Sequence, residues 1–369
     1  MSKQQVVKQG DSFEQMMQQL DLDWSEKFLL VCDQSFDYLT AIQSFEPFKN
    51  AVQFCDFTPN PLYEDVCNGV RLFHEHACRF IVAVGGGSAI DVAKCIKLFS
   101  SMNEDELFLK QSFEANETRL LAIPTTAGTG SESTRFAVIY YAGEKQSITH
   151  EDIVPDYVIL EPGVLDTLPL FQRKCTLMDA FCQAIESYWS INSTDESKVF
   201  STKAIQLILP HYTSYLNGDN SFNAQMMTAS HYAGQAINIT QTTAAHAMSY
   251  KISSLFSLPH GYAVCLCLPA VWEFMLEHMD QVIDNRGSQY VAEIFRQISG
   301  LLGFEEPQEA IQWFRTLLND LNLHPPVTVT PEEIEILSSS VNPVRLHNNP
   351  VQLDKADLEY IYLRAFHLK

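Results

Sequence analysis

Positive charge is scarce in this chain: 24 Lys and Arg stand against 45 Asp and Glu, a formal net charge of −21 at pH 7. A field of that sign repels phosphate backbones and excludes a nucleic-acid partner, and an anionic small substrate would need basic residues placed close to it. No run approaches the roughly 18 apolar residues of a membrane span. The opening MSKQQVVKQGDSFEQMM lacks the apolar core of a signal peptide. No paired CxxC framework is present; nine cysteines are scattered from Cys32 to Cys267, mostly inside apolar runs such as AVCLCLP, as expected of reduced thiols. Internal repeats and low-complexity linkers are missing too. These absences lead to the expectation of a globular, cytoplasmic protein with no membrane partner.

What is present is a chain of 369 residues, 46% hydrophobic, long enough for two domains. Up to residue 165, β-rich runs alternate with helical segments: FLLVCD (28–33), AVQFCDF (51–57), FIVAVGGG (80–87), LLAIPTT (120–126), FAVIYY (136–141) and YVILEP (157–162). Such alternation predicts a parallel α/β sheet. From 166 to 369 strand runs mostly give way to helical spacing, as in CTLMDAFCQAIESYW and PQEAIQWFRTLLNDL. The expected fold is therefore an α/β domain over 1–165 and an all-α domain over 166–369, packed around a cleft of the kind that holds ligands.

Two loops in the first half suit phosphate. In IVAVGGGSAIDVAKCIKLF an apolar strand ends in Gly85, Gly86 and Gly87, and Ser88 starts a helix. Glycines allow close approach of a diphosphate, and the helix start supplies N–H donors with partial positive charge. This is not GxGxxG, since Ile90 occupies the third glycine position, and a plain strand-to-helix turn has the same composition. In LLAIPTTAGTGSESTRFAVIYY, Thr125, Thr126, Gly128, Thr129, Gly130 and Ser131 offer several small donors after another strand. Two such loops suggest a dinucleotide. Asp33, closing FLLVCD, suits an adenosine ribose and would repel a 2′-phosphate, favouring NAD(H) over NADP(H); a strand-end Asp also serves as a turn or cap residue.

In MDAFCQAIESYW, Asp179 and Gln183 lie at i and i+4 and share a helix face that Glu186 continues. In AAHAMSYKISSLFSLPHGYAV, His246 and Tyr250 are again i and i+4, and His260 sits at an expected turn between Pro259 and Gly261. One Asp, one Gln and two His can make a mixed O and N site for Fe²⁺, Zn²⁺ or Mn²⁺. Spacing alone fits buried polar residues equally well.

GGGSAIDVAK, PTTAGTGSE, the MDAxxxAIE helix and the pair HAMSY with PHGYAV, in that order and spacing, resemble the iron-containing (group III) alcohol dehydrogenase family over nearly the whole chain. The resemblance implies an N-terminal dinucleotide-binding domain, a helical C-terminal domain, and a divalent metal that polarises a carbonyl while a nicotinamide delivers hydride. It implies that Gly85, Gly86, Gly87, Ser88 and Asp91 form the diphosphate loop and that Thr125, Thr126 and Thr129 lie on the nicotinamide side. Lys145 matches a nucleotide-binding lysine, and Asp179, His246 and His260 match three of four metal ligands. The fourth is a histidine in most relatives and Gln183 here; a second cleft histidine is here Tyr250, whose hydroxyl can pass a proton to the product alkoxide.

CQAIESYWS, TTAAHAMSYK and SVNPVRLHNNP further resemble the phosphonoacetaldehyde reductase branch, with sulfoacetaldehyde reductases close in kind. A two-carbon aldehyde bearing an oxyanion needs a cationic pocket end, for which Arg135 and Arg345 are candidates; each also suits an ordinary surface ion pair. The expectation is an NAD(P)H-dependent, metal-assisted aldehyde reductase, in a family whose members commonly form homo-oligomers. The alternatives are a general short-chain alcohol or aldehyde oxidoreductase, a metal-independent reductase of the same fold, a lyase of the dehydroquinate synthase type, and a catalytically silent scaffold.

Overall fold

The structure, a computed structural model, describes residues 4–8, 12–326 and 328–368. It contains two compact units, Met1–Pro169 with Asp219–Met227, and Leu170–Gly218 with Thr228–Lys369. Among the described residues no helix is long and apolar enough to cross a membrane.

Among the described residues the first unit holds eight strands: β1 (Gln5–Val7), β2 (Phe28–Cys32), β3 (Val52–Phe54), β4 (Phe80–Gly85), β5 (Arg119–Pro124), β6 (Phe136–Tyr141), β7 (Glu144–Thr149) and β8 (Tyr157–Ile159). Six of them form one sheet in the order β1-β8-β5-β4-β2-β3, every neighbouring pair parallel. All six residues of β4 and all five of β2 are buried, which explains why both read as continuous apolar runs: a parallel strand covered on both faces has no solvent side to alternate toward. The chain steps from β2 outward to β3, then returns past β2 to place β4 on its other side. That reversal makes the carboxyl ends of β2 and β4 a topological switch point, the position where open α/β sheets bind ligands.

FAVIYY does not join this sheet. It pairs antiparallel with β7 as a separate hairpin whose two turn residues, Ala142 (φ 51°) and Gly143 (φ 80°), both adopt left-handed conformations. Two-residue hairpin turns of that kind match the twist of the flanking strands. The strand β7, EKQSIT, is mostly polar and gives little sign of itself in the sequence.

The helix Gly87–Phe99 buries Ile90, Val92, Ala93 and Ile96 along its length. Lys94 is fully buried on the same helix, and its Nζ donates to Ser131 O (2.6 Å), Ser131 Oγ (3.1 Å), Thr134 Oγ1 (3.0 Å) and Phe136 O (2.8 Å). Burial pulls the Lys94 ammonium down to about 8 against the opposing charges of Asp91 and Glu132. The acceptors it finds are what make a buried ammonium tolerable, and they pin the loop after β5 to this helix.

In the second unit the helix Leu170–Trp189 packs against Asp195–Ile208 and His260–Glu277, and the last of these packs in turn against Ala244–Phe256 and Lys355–Ala365. From Leu177 to Trp189 every residue of Leu170–Trp189 is buried. The carboxyl and amide groups on that stretch are therefore held inside the helical unit.

Candidate active site

The sequence loops meet at the carboxyl ends of the central strands. Thr125 N donates to Gly85 O at 3.0 Å, so the ladder between β4 and β5 runs on into both loops. A Cβ on Gly86 would stand 3.6 Å from Thr126 Oγ1, and one on Gly87 would stand 3.2 Å from Thr129 Oγ1. The glycine turn and the threonine loop therefore lie side by side, with Gly86 capping and Gly87 opening the helix one residue before Ser88. Across the switch point, a Cβ on Gly85 would lie 3.4 Å from Asp33 Oδ2. The other oxygen, Asp33 Oδ1, accepts from Ser35 N at 2.7 Å, so Asp33 both caps the following turn and presents an oxygen beside the glycines.

Asp91 points elsewhere. Its carboxylate accepts from Ser131 Oγ (2.7 Å) and Val138 N (3.0 Å), binding the threonine loop and β6 to the helix. Burial raises its carboxyl above the ordinary value, against the pull of Lys94 and these hydrogen bonds. Lys145 lies on β7, close enough to add its charge to that balance. Arg135 pairs with Glu151 at 2.7 Å and lies over the Phe136 ring at 5.5 Å.

Within the second unit, three candidate ligands converge. His246 Nε2 is 3.4 Å and His260 Nε2 is 3.9 Å from Asp179 Oδ1, and one ligand atom from each residue falls within 4.8 Å of the others. Gln183, one turn after Asp179, hydrogen-bonds that carboxylate. Asp179 Oδ1, His246 Nε2 and the carbonyl Oε1 of Gln183 are all buried without a hydrogen-bond partner among the described residues. Buried polar atoms left in this state cost free energy, and a metal cation is a group that satisfies all three together once it replaces the proton on His246 Nε2. Burial alone would raise Asp179, yet the close approach of His246, the charge of His260 and the Gln183 hydrogen bond hold it below its ordinary value. Burial likewise works against a charged His246, but Glu186 and Asp179 outweigh it and push the imidazole up to about 9. The pocket therefore calls for positive charge, which fits a divalent ion.

The close approach depends on Gly261. A Cβ there would meet Cys175 O at 2.1 Å and Asp179 Cβ at 2.7 Å, so the helix His260–Glu277 can reach Leu170–Trp189 only with glycine at this point. His260 is the first residue of that helix and not part of a turn. Tyr250 stacks on it, and burial raises the phenol while the positive charge of Arg345 lowers it, which places Arg345 in the same neighbourhood. Arg345 stands in the last turn of the short helix Pro343–Leu346.

Sequence reasoning placed Glu186 on the ligand face without giving it a task. It is fully buried, accepts from Thr243 Oγ1 at 2.7 Å, and bonds His246 Nδ1 through its second oxygen. Ser249 went unnoticed: its Oγ donates to His246 O at 2.8 Å and lies 3.4 Å from His260 Nδ1. The i+7 spacing of Glu186 from Asp179 was the one available signal.

The iron-containing alcohol dehydrogenase description matches residues 4–162, and the C-terminal description of the Fe-containing alcohol dehydrogenase family matches residues 174–366. The chain belongs to the iron-containing alcohol dehydrogenase family, oxidoreductases that bind NAD(P) and a divalent metal. It is 35% identical over 221 residues to the probable alcohol dehydrogenase EutG of Escherichia coli (strain K12), a match spanning 58% of this chain and 56% of that protein. It is 28% identical over 293 residues to the phosphonoacetaldehyde reductase of Streptomyces viridochromogenes, covering 75% and 73% of the two chains. The iron-containing alcohol dehydrogenase of Thermococcus thioreducens shares the fold with a TM-score of 0.88 at 23% identity, over 100% of both chains.

Proposed function

We propose that this protein reduces a short aldehyde to the alcohol with NAD(P)H and a divalent metal, and that the aldehyde is an anionic two-carbon compound such as phosphonoacetaldehyde. The observation that carries the reading is the convergence of one ligand atom each from Asp179, His246 and His260 within 4.8 Å of one another, beside the buried side chain of Gln183. These four residues would hold the ion, and a divalent metal bound there supplies Lewis-acid polarisation of a carbonyl oxygen. Gly85, Gly86, Gly87, Ser88, Thr125, Thr126 and Thr129 would bind the dinucleotide, Asp33 the adenosine ribose, and the nicotinamide supplies the hydride. Asp91 and Lys145 support that site, Asp91 by holding Ser131 and Val138.

The protein's own contribution to the chemistry centres on Tyr250. Its hydroxyl donates a proton to the alkoxide oxygen of the product, while its ring keeps water from one side of His260. Of the two arginines, Arg345 is assigned to the substrate oxyanion because its charge reaches Tyr250, whereas Arg135 is engaged with Glu151. A guanidinium fork matches two oxygens of a phosphonate or sulfonate.

The experiment is NADH and NADPH oxidation with phosphonoacetaldehyde, sulfoacetaldehyde and propanal, before and after chelation and metal add-back. Turnover of the anionic aldehydes that dies with chelation and returns with Fe²⁺, Zn²⁺ or Mn²⁺ supports the reading. Activity that ignores chelation removes the metal from it. Preference for propanal removes the oxyanion and leaves a general short-chain reductase.

A further inference from the structure

We propose that Glu186 is a positioning residue for the metal centre, one oxygen setting the start of the helix that carries His246 and the other setting which ring nitrogen faces the ion. The proposal rests on the metal reading above. Asp179, Gln183 and Glu186 fall at i, i+4 and i+7 of the helix Leu170–Trp189, so a single face carries two ligands and, one turn further on, this carboxylate.

The first oxygen replaces a missing cap. The helix Ala244–Phe256 begins after Thr243, whose side chain makes no capping hydrogen bond to it. Its unpaired N–H groups are met from another helix: Glu186 Oε1 accepts from Thr243 N (3.2 Å), Ala245 N (3.0 Å) and His246 N (3.3 Å), and from Thr243 Oγ1 (2.7 Å). Helix N-termini carry free donors and partial positive charge, so a buried carboxylate is a favourable partner there. His246 is the third residue of this helix. Fixing the helix start therefore fixes where its side chain originates.

The second oxygen acts on the ring. Glu186 Oε2 bonds His246 Nδ1. A carboxylate only accepts, so Nδ1 carries a proton in either form of the ring, and in the neutral form, the one that can bind a metal, the lone pair lies on Nε2, the atom 3.4 Å from Asp179 Oδ1. A metal ligand needs that lone pair on the ion's side, and a carboxylate behind the ring also raises its basicity. The Ser249 hydroxyl near His260 Nδ1 is a weaker version of the same support.

Glu186→Gln separates the two tasks. The amide oxygen can still face the N–H groups of the helix start, but the amide nitrogen then faces Nδ1 as a donor. That reverses the tautomer, putting N–H on the Nε2 side. Zn²⁺ affinity, measured by competition with a chromophoric chelator, is expected to fall about 10- to 100-fold, with NADH affinity unchanged. Unchanged Zn²⁺ affinity in a folded Glu186→Gln protein would overturn the proposal and leave Glu186 as a helix cap only. If the variant does not fold, ¹⁵N spectra of histidine-labelled wild-type protein loaded with Zn²⁺ decide the matter. A proton on Nδ1 of His246 with the metal on Nε2 supports the proposal, and the reverse overturns it. Wild-type protein that binds no Zn²⁺ would instead refute the metal reading on which this rests.

Discussion

The ring of Tyr250 lies parallel to that of His260, with centroids 5.6 Å apart and planes within 4° of each other. The phenol is thereby held against a proposed ligand, and its hydroxyl hydrogen-bonds Thr242. Tyr250→Phe keeps the stack and removes only the hydroxyl. It is expected to lower kcat by about 100-fold or more, the range of a lost general acid, while Zn²⁺ affinity stays within about threefold because no ligand changes. Steady-state rates and chelator competition on the same preparation check both halves. A loss of metal with a normal kcat in the fraction that remains loaded would move Tyr250 from proton donor to structural support.

Gln183 offers a neutral carbonyl oxygen one turn after Asp179, its Oε1 buried beside the cluster. Imidazole is the better donor for Zn²⁺ and Fe²⁺. Gln183→His should therefore tighten Zn²⁺ binding by about tenfold or more, an expectation set by ligand softness. Equal affinity of the two proteins would show that residue 183 is not a ligand in either.

Gly261 has a backbone carbonyl where a side chain would begin, with Cys175 O 2.1 Å from the position of a Cβ. Backbone atoms of a packed helix cannot step aside as a flexible side chain can. Gly261→Ala should cost about 3 kcal/mol in denaturant unfolding, as overpacking does, and should weaken Zn²⁺ binding, since His260 is displaced along with its helix. Stability lost with metal affinity intact would mean that the two helices separate away from the site.

These positions show how far the sequence could be read. The glycine and threonine loops were legible because each is local: a strand, a turn and a helix start follow one another in the chain, and the parallel sheet brings them together. That Asp179, His246 and His260 converge could be expected from the resemblance and from helical spacing, whereas Gln183 stood out as a departure from the resemblance. The grip of Glu186 on His246, the need for glycine at 261 and the separate hairpin of β6 and β7 were not legible. Each depends on which elements cross, and neither the polar strand EKQSIT nor a helix-borne glutamate announces its partner.

Glu273 connects two basic residues on different helices, accepting from Arg315 at 2.7 Å and from Arg364 at 3.1 Å. The Arg315 hydrogen bond leads in holding its carboxyl below the ordinary value of 4.5, with burial opposing it. A group with a lowered folded pKa gives its full stabilisation above the unfolded value and loses it as pH falls through the folded one. Glu273→Gln should thus cost about 1 kcal/mol at pH 7, a modest figure for a partly exposed network, and progressively less below pH 4.5. Unfolding curves of both proteins across that range test it; a difference that persists undiminished at the acid end would show that the charge is irrelevant.

In the proposed function Arg345 is the residue that would select an anionic substrate. The chain carries 45 acidic residues against 24 basic ones, so an anionic aldehyde approaches against the long-range field and must gain its binding from a local cation. Loss of a charged hydrogen bond costs about 1.5 to 3 kcal/mol, equivalent to roughly 10- to 100-fold in kcat/KM. Arg345→Ala should impose that loss on phosphonoacetaldehyde and leave propanal nearly unaffected, whereas Arg135→Ala, which breaks the pair with Glu151, should leave both substrates alone. Since propanal reports on hydride delivery and on Tyr250 without the oxyanion, the ratio of the two rates isolates the guanidinium from the rest of the site. Equal losses for both aldehydes would make Arg345 a support for Tyr250, whose phenol its charge already lowers, and the oxyanion would then have no partner among the residues assigned to it.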